Sequence, residues 1–409
     1  MADPSVDMPV LPKESSPMAN TNSLSVKATL LLSSALTPLA TAAIAPSLPA
    51  MQVHFSSFDN ADFWVRYVLT MPALFIVVGS PIAGYIVDRF GRKHLLVIAS
   101  VIYGIAGIAG FFLDSLAAIL ASRALLGLAV AGVTISTTTL VADYYQGGQR
   151  VAFLGLQAGF IGIGGVLFFT LGGFAAQINW RFPFLFYLCG WLIIPAITRF
   201  LPGPRRRLAK EEKYEAATEA PLSLYFLAFI YGCAFLSQVA FYFIPVQIPF
   251  YLKTIGSVQE ARSGLALAFT TLCSAFASIS FRQIRKRLSF IVLLALSLGF
   301  MGSAYIGLAL SNNYRLVLLS LIPAGVGLGL LIPNLTVWIS QILPESIRGK
   351  LIGGLSAFFF LGQFVSPFVS QMMSKTIGLQ GAYKLVGAGL VGISVIIFIF
   401  QEQLNHKAS

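Results

Sequence analysis

Long runs of apolar residues alternate with short polar segments along this chain of 409 residues. Each run extends over about 20 residues, which is the length that a helix needs to cross the hydrocarbon core of a bilayer. The runs are continuous and lack the strict alternation of polar and apolar positions that half-buried strands show, so they predict helices. Helices also satisfy their own backbone hydrogen bonds in lipid. The pattern therefore predicts a polytopic helical membrane protein.

A charged central segment divides twelve predicted spans into two sets of six. The predicted spans are 27–50, 62–87, 95–113, 116–142, 151–176, 182–201, 222–250, 262–282, 288–310, 314–341, 350–374 and 382–402. Two six-helix bundles are expected at residues 25–201 and 222–402, with a basic cytoplasmic linker at 202–221 between them. Residues 1–24 and 403–409 are expected to be cytoplasmic tails, the first of them disordered because it is polar and rich in Pro, Ser and Asn.

The composition agrees with a membrane location and explains the positive charge. The chain is 57% hydrophobic and 10% charged with a mean hydropathy of +0.82, whereas soluble proteins carry about 25% charged residues. The net charge of +12 arises because every even-numbered connection is basic, and basic loops are retained in the cytoplasm. We therefore expect a multi-pass protein of the cell (inner) membrane with both termini in the cytoplasm, and no nucleic-acid partner.

The residue types that enzymes and metal sites need are scattered. Cys189, Cys233 and Cys273 lie inside apolar runs, and the three histidines are far apart in the sequence. No nucleotide-binding loop of the Gly-x-x-x-x-Gly-Lys-Ser/Thr kind occurs in the sequence. The sequence therefore predicts no catalytic residue, no metal and no cofactor, and it disfavours both a membrane enzyme and an ATP-driven pump.

The two predicted halves resemble each other. Arg150 and Arg348 open the fifth and eleventh spans, and each is followed by glycines 5 and 14 residues later. Duplicated halves of six helices are typical of transporters whose substrate site lies between the repeats. A monomer with a central site is the expected arrangement.

Residues 84–93, between the second and third spans, concentrate charge in a short loop. The loop contains Gly84, Asp88, Arg89, Gly91, Arg92 and Lys93. Together with the twelve spans and the basic central segment, it resembles the major facilitator superfamily, whose loop motif is Gly-x-x-x-Asp-Arg-x-Gly-Arg-Lys. The resemblance covers nearly the full chain. It implies an all-α fold of twelve transmembrane helices in two pseudo-symmetric six-helix halves.

Two further signatures of that superfamily are partly present. Arg123 and Gly127 match its fourth-helix signature, with Leu126 where the family usually has Gln. Drug:proton antiporters of the superfamily carry Gly-Pro-x-x-Gly-Gly in the fifth helix, of which Gly172 and Gly173 remain here. The chain is therefore identified as nearest to the twelve-helix drug:proton antiporter type, with a degenerate fifth-helix motif.

The resemblance implies that the loop is a conformational gate. Asp88 would accept hydrogen bonds at the start of the eleventh span, near Arg348, where the helix dipole favours a carboxylate. Arg92 would pair with Asp143 at the cytoplasmic end of the fourth span. The alternative is a solvated loop whose cations only set the membrane topology.

Charged groups near or inside the spans are candidates for coupling. Arg123 is predicted inside the fourth span, where a buried charge marks function by default. It is interpreted as a contact for an anionic substrate group or a nearby carboxylate, the alternative being a bond to backbone carbonyls or to the interface. No carboxylate is predicted at mid-membrane. Proton coupling would then use an end-of-helix acid such as Asp62 or Asp143, unless the carrier is an uncoupled facilitator or exchanger.

By resemblance, the first, fourth, seventh and tenth spans are expected to line a central cavity. The candidates for substrate contact or coupling there are Thr37, Thr41, Gln238, Tyr242, Asn334 and Trp338, with Gln157 and Gln363 from the fifth and eleventh spans. Aromatic walls with few polar groups suit an amphipathic organic substrate.

The sequence thus predicts a secondary transporter that exports a small organic compound, either drug-like or a metabolite, with protons as a candidate coupling ion. Import or facilitated diffusion of an anionic metabolite or metal chelate is the alternative, which Arg123 and the missing mid-membrane acids favour. A non-transporting membrane sensor is disfavoured because a sizeable soluble domain would be expected in it.

Overall fold

The computed structural model describes residues 23–202, 224–257, 259–342 and 345–401. Within these ranges the chain forms α-helices and two 3-10 helices, and no strand. All but residues 23 and 24 of the first predicted tail, the whole second tail and nearly all of the predicted linker lie outside the described residues.

The helices fall into two consecutive groups. The first group contains α1 (Leu24–Ala42), α2 (Leu48–His54), α3 (Ala61–Phe90), α4 (Arg92–Phe112), α5 (Leu116–Tyr144), α6 (Gly147–Ile178), α7 (Cys189–Leu192) and α8 (Ile194–Phe200). The second contains α9 (Leu224–Thr254), α10 (Glu260–Arg285), α11 (Phe290–Leu310), α12 (Tyr314–Ile342) and α13 (Glu345–Ile399). The 3-10 helices are Ala45–Ser47 and Phe182–Leu188.

Eleven helical segments in the described part of the chain are long and apolar enough to cross a membrane. The last of them, Leu351–Ile399, is interrupted at Gly378, whose φ of 72° and ψ of 166° are not helical. One unbroken helix of that length would extend roughly 70 Å, more than twice the hydrocarbon thickness, so α13 provides two crossings. The predicted all-α fold with twelve spans is confirmed.

Prolines act differently in the first span of each group. Pro46 and Pro49 lie where α1 gives way to a 3-10 helix and then to α2, because proline has no N–H to continue the helical hydrogen bonds. The corresponding Pro245 and Pro249 lie inside α9, which stays a single helix. The sequence predicted one span in each case, and the structure divides the first of them.

Glycines allow α3, α4 and α5 to pack closely. A Cβ atom on Gly127 would collide with the carbonyl oxygen of Pro72 and would lie 2.7 Å from the Cβ of Phe75. A Cβ atom on Gly132 would lie 2.9 Å from the Cβ of Ala99. Such contacts matter because close packing, rather than the hydrophobic effect, drives helix association in lipid.

The bundle has two faces, which we name after residues of α3. The Asp62 face contains the first turns of α3, and the motif face contains residues 84–93 at its other end. The first half comprises the described residues 23–202, and the second half comprises the described residues among 224–401.

The two halves touch at the Asp62 face and separate toward the motif face. Along α6, a Cβ atom on Gly173 would lie 2.9 Å from the Cα of Gly264 in α10, whereas one on Gly162 would lie 3.8 Å from Ala275. A Cβ atom on Gly155, closer to the motif face, would meet no atom within 4 Å. The two helices therefore diverge, and a space between the halves opens at the motif face.

We predict that Gly127→Val lowers the stability of the folded protein by about 1–3 kcal/mol, because the added methyl groups cannot fit against Pro72. Gly392→Val is the matched control, since Gly392 lies in an exposed position with no atom within 4 Å of its Cβ site. Thermal unfolding followed by size-exclusion chromatography in detergent measures the difference. Equal melting temperatures for the two variants would contradict the packing role of Gly127.

Candidate substrate pathway and gates

Gly91 makes the sharp turn between α3 and α4 possible. Its φ of 89° is strained for residues that carry a Cβ atom, and it lets α3 end at Phe90 and α4 begin at Arg92. Gly84 has a different environment, because a Cβ atom there would meet nothing within 4 Å. Of these two motif glycines, Gly91 is required by the turn, whereas Gly84 faces open space.

Arg92 makes the contact that the sequence predicted. Its Nη1 atom lies 2.6 Å from Oδ2 of Asp143, and the two side chains are 32% and 34% exposed. The ion pair joins the start of α4 to the end of α5, so it holds together elements of the first half. The contact is confirmed, and its part in gating stays a prediction.

Asp88 is exposed and forms no hydrogen bond or ion pair with a described residue. The side chain of Arg348, beside the predicted partner site, lies outside the described residues. Gly349 and Gly353 in the first turns of α13 have no atom within 4 Å of their Cβ sites. Arg89 contacts its own helix, with Nη1 3.2 Å from the hydroxyl of Tyr85. In this state Asp88 therefore does not contact the described residues at the start of α13.

Lys93 binds the end of the sixth span, a contact that the sequence did not reveal. Its Nζ atom donates to the carbonyl oxygens of Thr198 at 2.8 Å and Leu201 at 2.7 Å. Helix α8 ends at Phe200, and a cation there satisfies terminal carbonyls and interacts favourably with the helix dipole. Lys93 thus holds the end of the sixth span in place, just before residues 203–223.

Arg123 lies inside the first half and not on the space between the halves. It is 0% exposed, and its Nη2 atom donates to the carbonyl oxygens of Ala106 at 3.0 Å and Gly107 at 2.7 Å. Its guanidinium also stacks over the rings of Phe184 and Tyr187, 4.8 and 4.9 Å from their centroids. These contacts match the backbone-carbonyl alternative and fasten α4, α5 and the second 3-10 helix together.

Thr41 and Tyr242 meet across the boundary between the halves, whereas Thr37 pairs within the first half. The hydroxyls of Thr37 in α1 and Thr134 in α5 are 3.3 Å apart. The hydroxyl of Tyr242 in α9 lies beside Thr41 of α1, across the boundary between the halves. Half-buried hydroxyls in this position are available to a molecule bound between the halves.

The predicted amides are paired rather than free. Gln157 donates from Nε2 to Oγ of Ser34 at 2.7 Å, so it links α6 to α1. Gln363 points its Nε2 atom at Oε1 of Gln238, 3.5 Å away, which links α13 to α9. The second contact is long and Gln363 is only half-buried, so this amide pair can exchange its weak mutual bond for one to a ligand.

Asn334 and Trp338 are packed inside the second half. Asn334 is 0% exposed and donates to the carbonyl oxygen of Phe290 at 2.9 Å. Trp338 is 3% exposed and stacks on the ring of Phe290 at 5.6 Å, with Phe226 at its edge. In this state the structure does not place either residue on the space between the halves.

The sequence reasoning missed a buried cation that does join the halves. Arg66 is 6% exposed, and its Nε and Nη2 atoms lie 3.4 Å from Oε1 of Gln247 in α9. Its guanidinium stacks over the ring of Phe250, 3.9 Å from the centroid. Gln247 in turn donates to Oγ of Ser370 at 3.0 Å. Arg66 thus ties α3 of the first half to α9 of the second.

Asp62 makes a second polar connection beside it. Its Oδ2 atom accepts a hydrogen bond from Nε2 of Gln371 at 2.6 Å and lies 2.9 Å from Nζ of Lys375. The pairs Asp62/Arg66 and Gln371/Lys375 are each four residues apart, so each pair lies on one face of its helix. That spacing at the ends of two apolar spans was the signal available in the sequence.

Aromatic rings of α3 and α13 also meet between the halves, and on each helix they are again four residues apart. Phe63 and Phe368 have ring centroids 6.4 Å apart, and Tyr67 and Phe364 have centroids 5.2 Å apart. Together with Asp62, Arg66, Gln247, Gln371 and Lys375, these four residues form what we call the Asp62 cluster. The cluster closes the Asp62 face between the halves.

The sequence profile of the Major Facilitator Superfamily matches residues 30–311 and 230–409 of the chain. The chain belongs to the major facilitator superfamily. It is therefore a multi-pass membrane transporter, and the twelve spans described above are those of this fold.

Curated relatives cover most of the chain at low identity. It is 22% identical over 368 residues to the quinolone resistance protein NorA of Staphylococcus aureus (strain COL), which covers 88% of this chain and 93% of that protein. It is 25% identical over 360 residues to the bacillibactin exporter of Bacillus subtilis (strain 168), covering 79% of this chain and 83% of that one.

Solved structures agree in fold. A D-xylose–proton symporter superposes with a TM-score of 0.73 at 18% identity, covering 91% of this chain and 96% of that one. A bacterial homologue of the human lysosomal transporter Spinster, in an inward-facing and occupied conformation, gives 0.74 at 15% identity, covering 94% and 97%.

We predict that Arg123→Met destabilises the protein by about 2 kcal/mol, because the charge-assisted bonds to α4 are lost. Arg150→Met serves as the control, since Arg150 is exposed at the start of α6. Melting temperatures of the purified transporters in detergent measure the effect. A variant at position 123 that melts with the control would show that these contacts do not hold the first half together.

Proposed function

We propose that this protein exports a small amphipathic organic compound by alternating access between its two six-helix halves. The observation that carries the proposal is the asymmetry of the boundary between them. The Asp62 cluster closes one face, whereas Gly155 and Gly353 face open space toward the other. A carrier that rocks about a central site has such a state, open to one side only.

The open side is assigned to the cytoplasm on the distribution of basic residues. The motif face carries Arg89, Arg199 and Arg282 in exposed positions, and cytoplasmic loops are enriched in Lys and Arg. The state is then inward-facing, and a compound reaches the central site from the cytoplasm. Both termini are placed on the same side, in a bacterial inner membrane.

The central site supports an organic substrate with a few hydrogen-bonding groups. Its polar candidates, Thr37, Thr41, Gln238, Tyr242 and Gln363, are all uncharged, and apolar residues lie between them along α1 and α9. Sites of this composition bind amphipathic molecules, with the polar groups fixing orientation. Arg123 was the residue that favoured an anionic substrate, and it is fully buried away from this space.

Export as the direction is supported by the printed names of two relatives, a quinolone resistance protein and a bacillibactin exporter. The overall fold does not decide direction, because a xylose–proton symporter has it too. The proposal includes protons as the coupling ion.

We predict that inverted vesicles containing the protein accumulate a fluorescent quinolone when their interior is acidified. Replacing the amide pair with Gln238→Leu and Gln363→Leu should reduce the initial rate about thirtyfold, because two polar contacts to the ligand are lost at roughly 1 kcal/mol each. Gln283→Leu, at an exposed position on α10, is the matched control. Accumulation that is the same with and without the protein argues against quinolone export, and accumulation unaffected by the gradient argues against proton antiport.

We also predict that Asp88→Asn slows transport about two- to fivefold while leaving membrane insertion unchanged. The physical reason is that, when the motif face closes, a neutral side chain interacts less favourably with a helix N-terminus than a carboxylate does. Asp59→Asn, an exposed acid on the opposite face, is the control. Transport rates equal to those of the unmodified protein would refute the latch.

A further inference from the structure

We infer that Asp62 is the proton-sensitive element of the gate at the Asp62 face, and that its protonation favours the state open on that face. The inference rests on the proposed alternating access, since only a carrier with two states needs such a gate. Asp62, Arg66, Gln371 and Lys375 then form a gate that is separate from the loop motif and from the central site.

Asp62 differs from the other acids in where its partners lie. Its partners Gln371 and Lys375 belong to α13, so this ion pair joins the two halves. The other ion pairs between described residues each lie within one half: Arg92 with Asp143, Arg181 with Asp114, and Lys253 with Glu260. Protonating Asp114 or Glu260 changes an ion pair inside one half, whereas protonating Asp62 changes contacts between the halves.

Contacts of this kind allow Asp62 to bias the conformational equilibrium. A ligand, here a proton, shifts an equilibrium only by the difference in its interaction with the two states. The ion pair with Lys375 and the charge-assisted bond from Gln371 are present when the Asp62 face is closed. They must break when α3 and α13 move apart. A proton on Asp62 removes the ion pair from the closed state and has none to remove from the open state, so it favours opening.

The surroundings leave Asp62 as the group that titrates. Arg66 donates from Nη1 to the backbone carbonyl oxygen of Asp62, and it keeps its charge over the working pH range. The groups that face the cluster from neighbouring helices are Gln52 of α2, Gln247 of α9, and Gln371, Lys375 and Tyr383 of α13. The amides do not titrate, and Lys and Tyr change charge only well above neutral pH.

Asp62 is also reachable by protons in the closed state. Its side chain is 31% exposed and that of Lys375 is 52% exposed, whereas Arg66 one turn deeper is 6% exposed. The cluster therefore has a buried part, Arg66 with Gln247, that aligns the helices. Its outer part, Asp62 with Lys375, responds to the pH on that side of the membrane.

The test measures the opening of the Asp62 face directly. Spin labels at Ser56→Cys and Thr376→Cys, both exposed and in different halves, report the distance across this face in nanodiscs. Cys189, Cys233 and Cys273 are first replaced by Ala in the full-length chain. On going from about pH 7.5 to about pH 3, below the ordinary pKa of an aspartate side chain of about 3.9, the ratio of long to short distances should rise several-fold.

Asp62→Asn should give the long distance at both pH values and lose the pH dependence. Lys375→Met removes the partner instead and should act in the same direction, which guards against a local folding defect at position 62. Asp114→Asn is the matched control, because Asp114 is an acid whose ion pair with Arg181 lies within the first half. That control should retain the pH response of the parent.

A pH response that persists in Asp62→Asn, or that is abolished equally by Asp114→Asn, overturns the inference. The measurement needs no substrate, so its failure is separate from failure of the proposed export. A gate that opens with acid in vesicles that move no quinolone would count against the proposed substrate and leave the gate standing.

Discussion

The structure depends on one constraint, that backbone polar groups in hydrocarbon must be bonded within the protein. The chain meets it with long helices, and hydroxyl side chains inside them return their hydrogen bonds to the same helix, as Ser33 does to the carbonyl of Thr29 at 2.8 Å. Tyrosines tie helices to each other in matching places of the two halves. Tyr103 donates to the carbonyl of Leu36 in α1, and Tyr305 donates to that of Ala240 in α9. Each half is therefore internally well bonded and can move as a unit.

Because each half is bonded internally, the contacts between the halves control the conformation. They combine a tight glycine contact, Gly173 against Gly264, with the polar and aromatic residues of the Asp62 cluster. A small separation of the two helices is enough to break the glycine contact. The ion pair and the side-chain amide hydrogen bonds are replaced by hydrogen bonds to water. Such an interface can open without disturbing either half, which is what alternating access requires.

The motif face and the Asp62 face hold the carrier in different ways. At the motif face, Arg92 and Lys93 bind Asp143 and the end of α8, both inside the first half, and Asp88 is left exposed. At the Asp62 face, Asp62 and Arg66 bind across the boundary. In this state the described contacts of the loop motif lie within the first half, whereas the Asp62 cluster joins the two halves.

The sequence by itself determined the membrane class and the twelve spans, because hydropathy acts locally along the chain, and the resemblance to the superfamily supplied the partner of Arg92. It did not determine which cation faces the other half. Arg123 was favoured for its depth in a span, yet it bonds to α4, and Arg66 takes the position between the halves. Sequence gives the depth of a residue along its helix but not the direction in which it points. The partners of Arg66 and Asp62 are 181 and 309 residues away, so only the packing of the two halves brings them together.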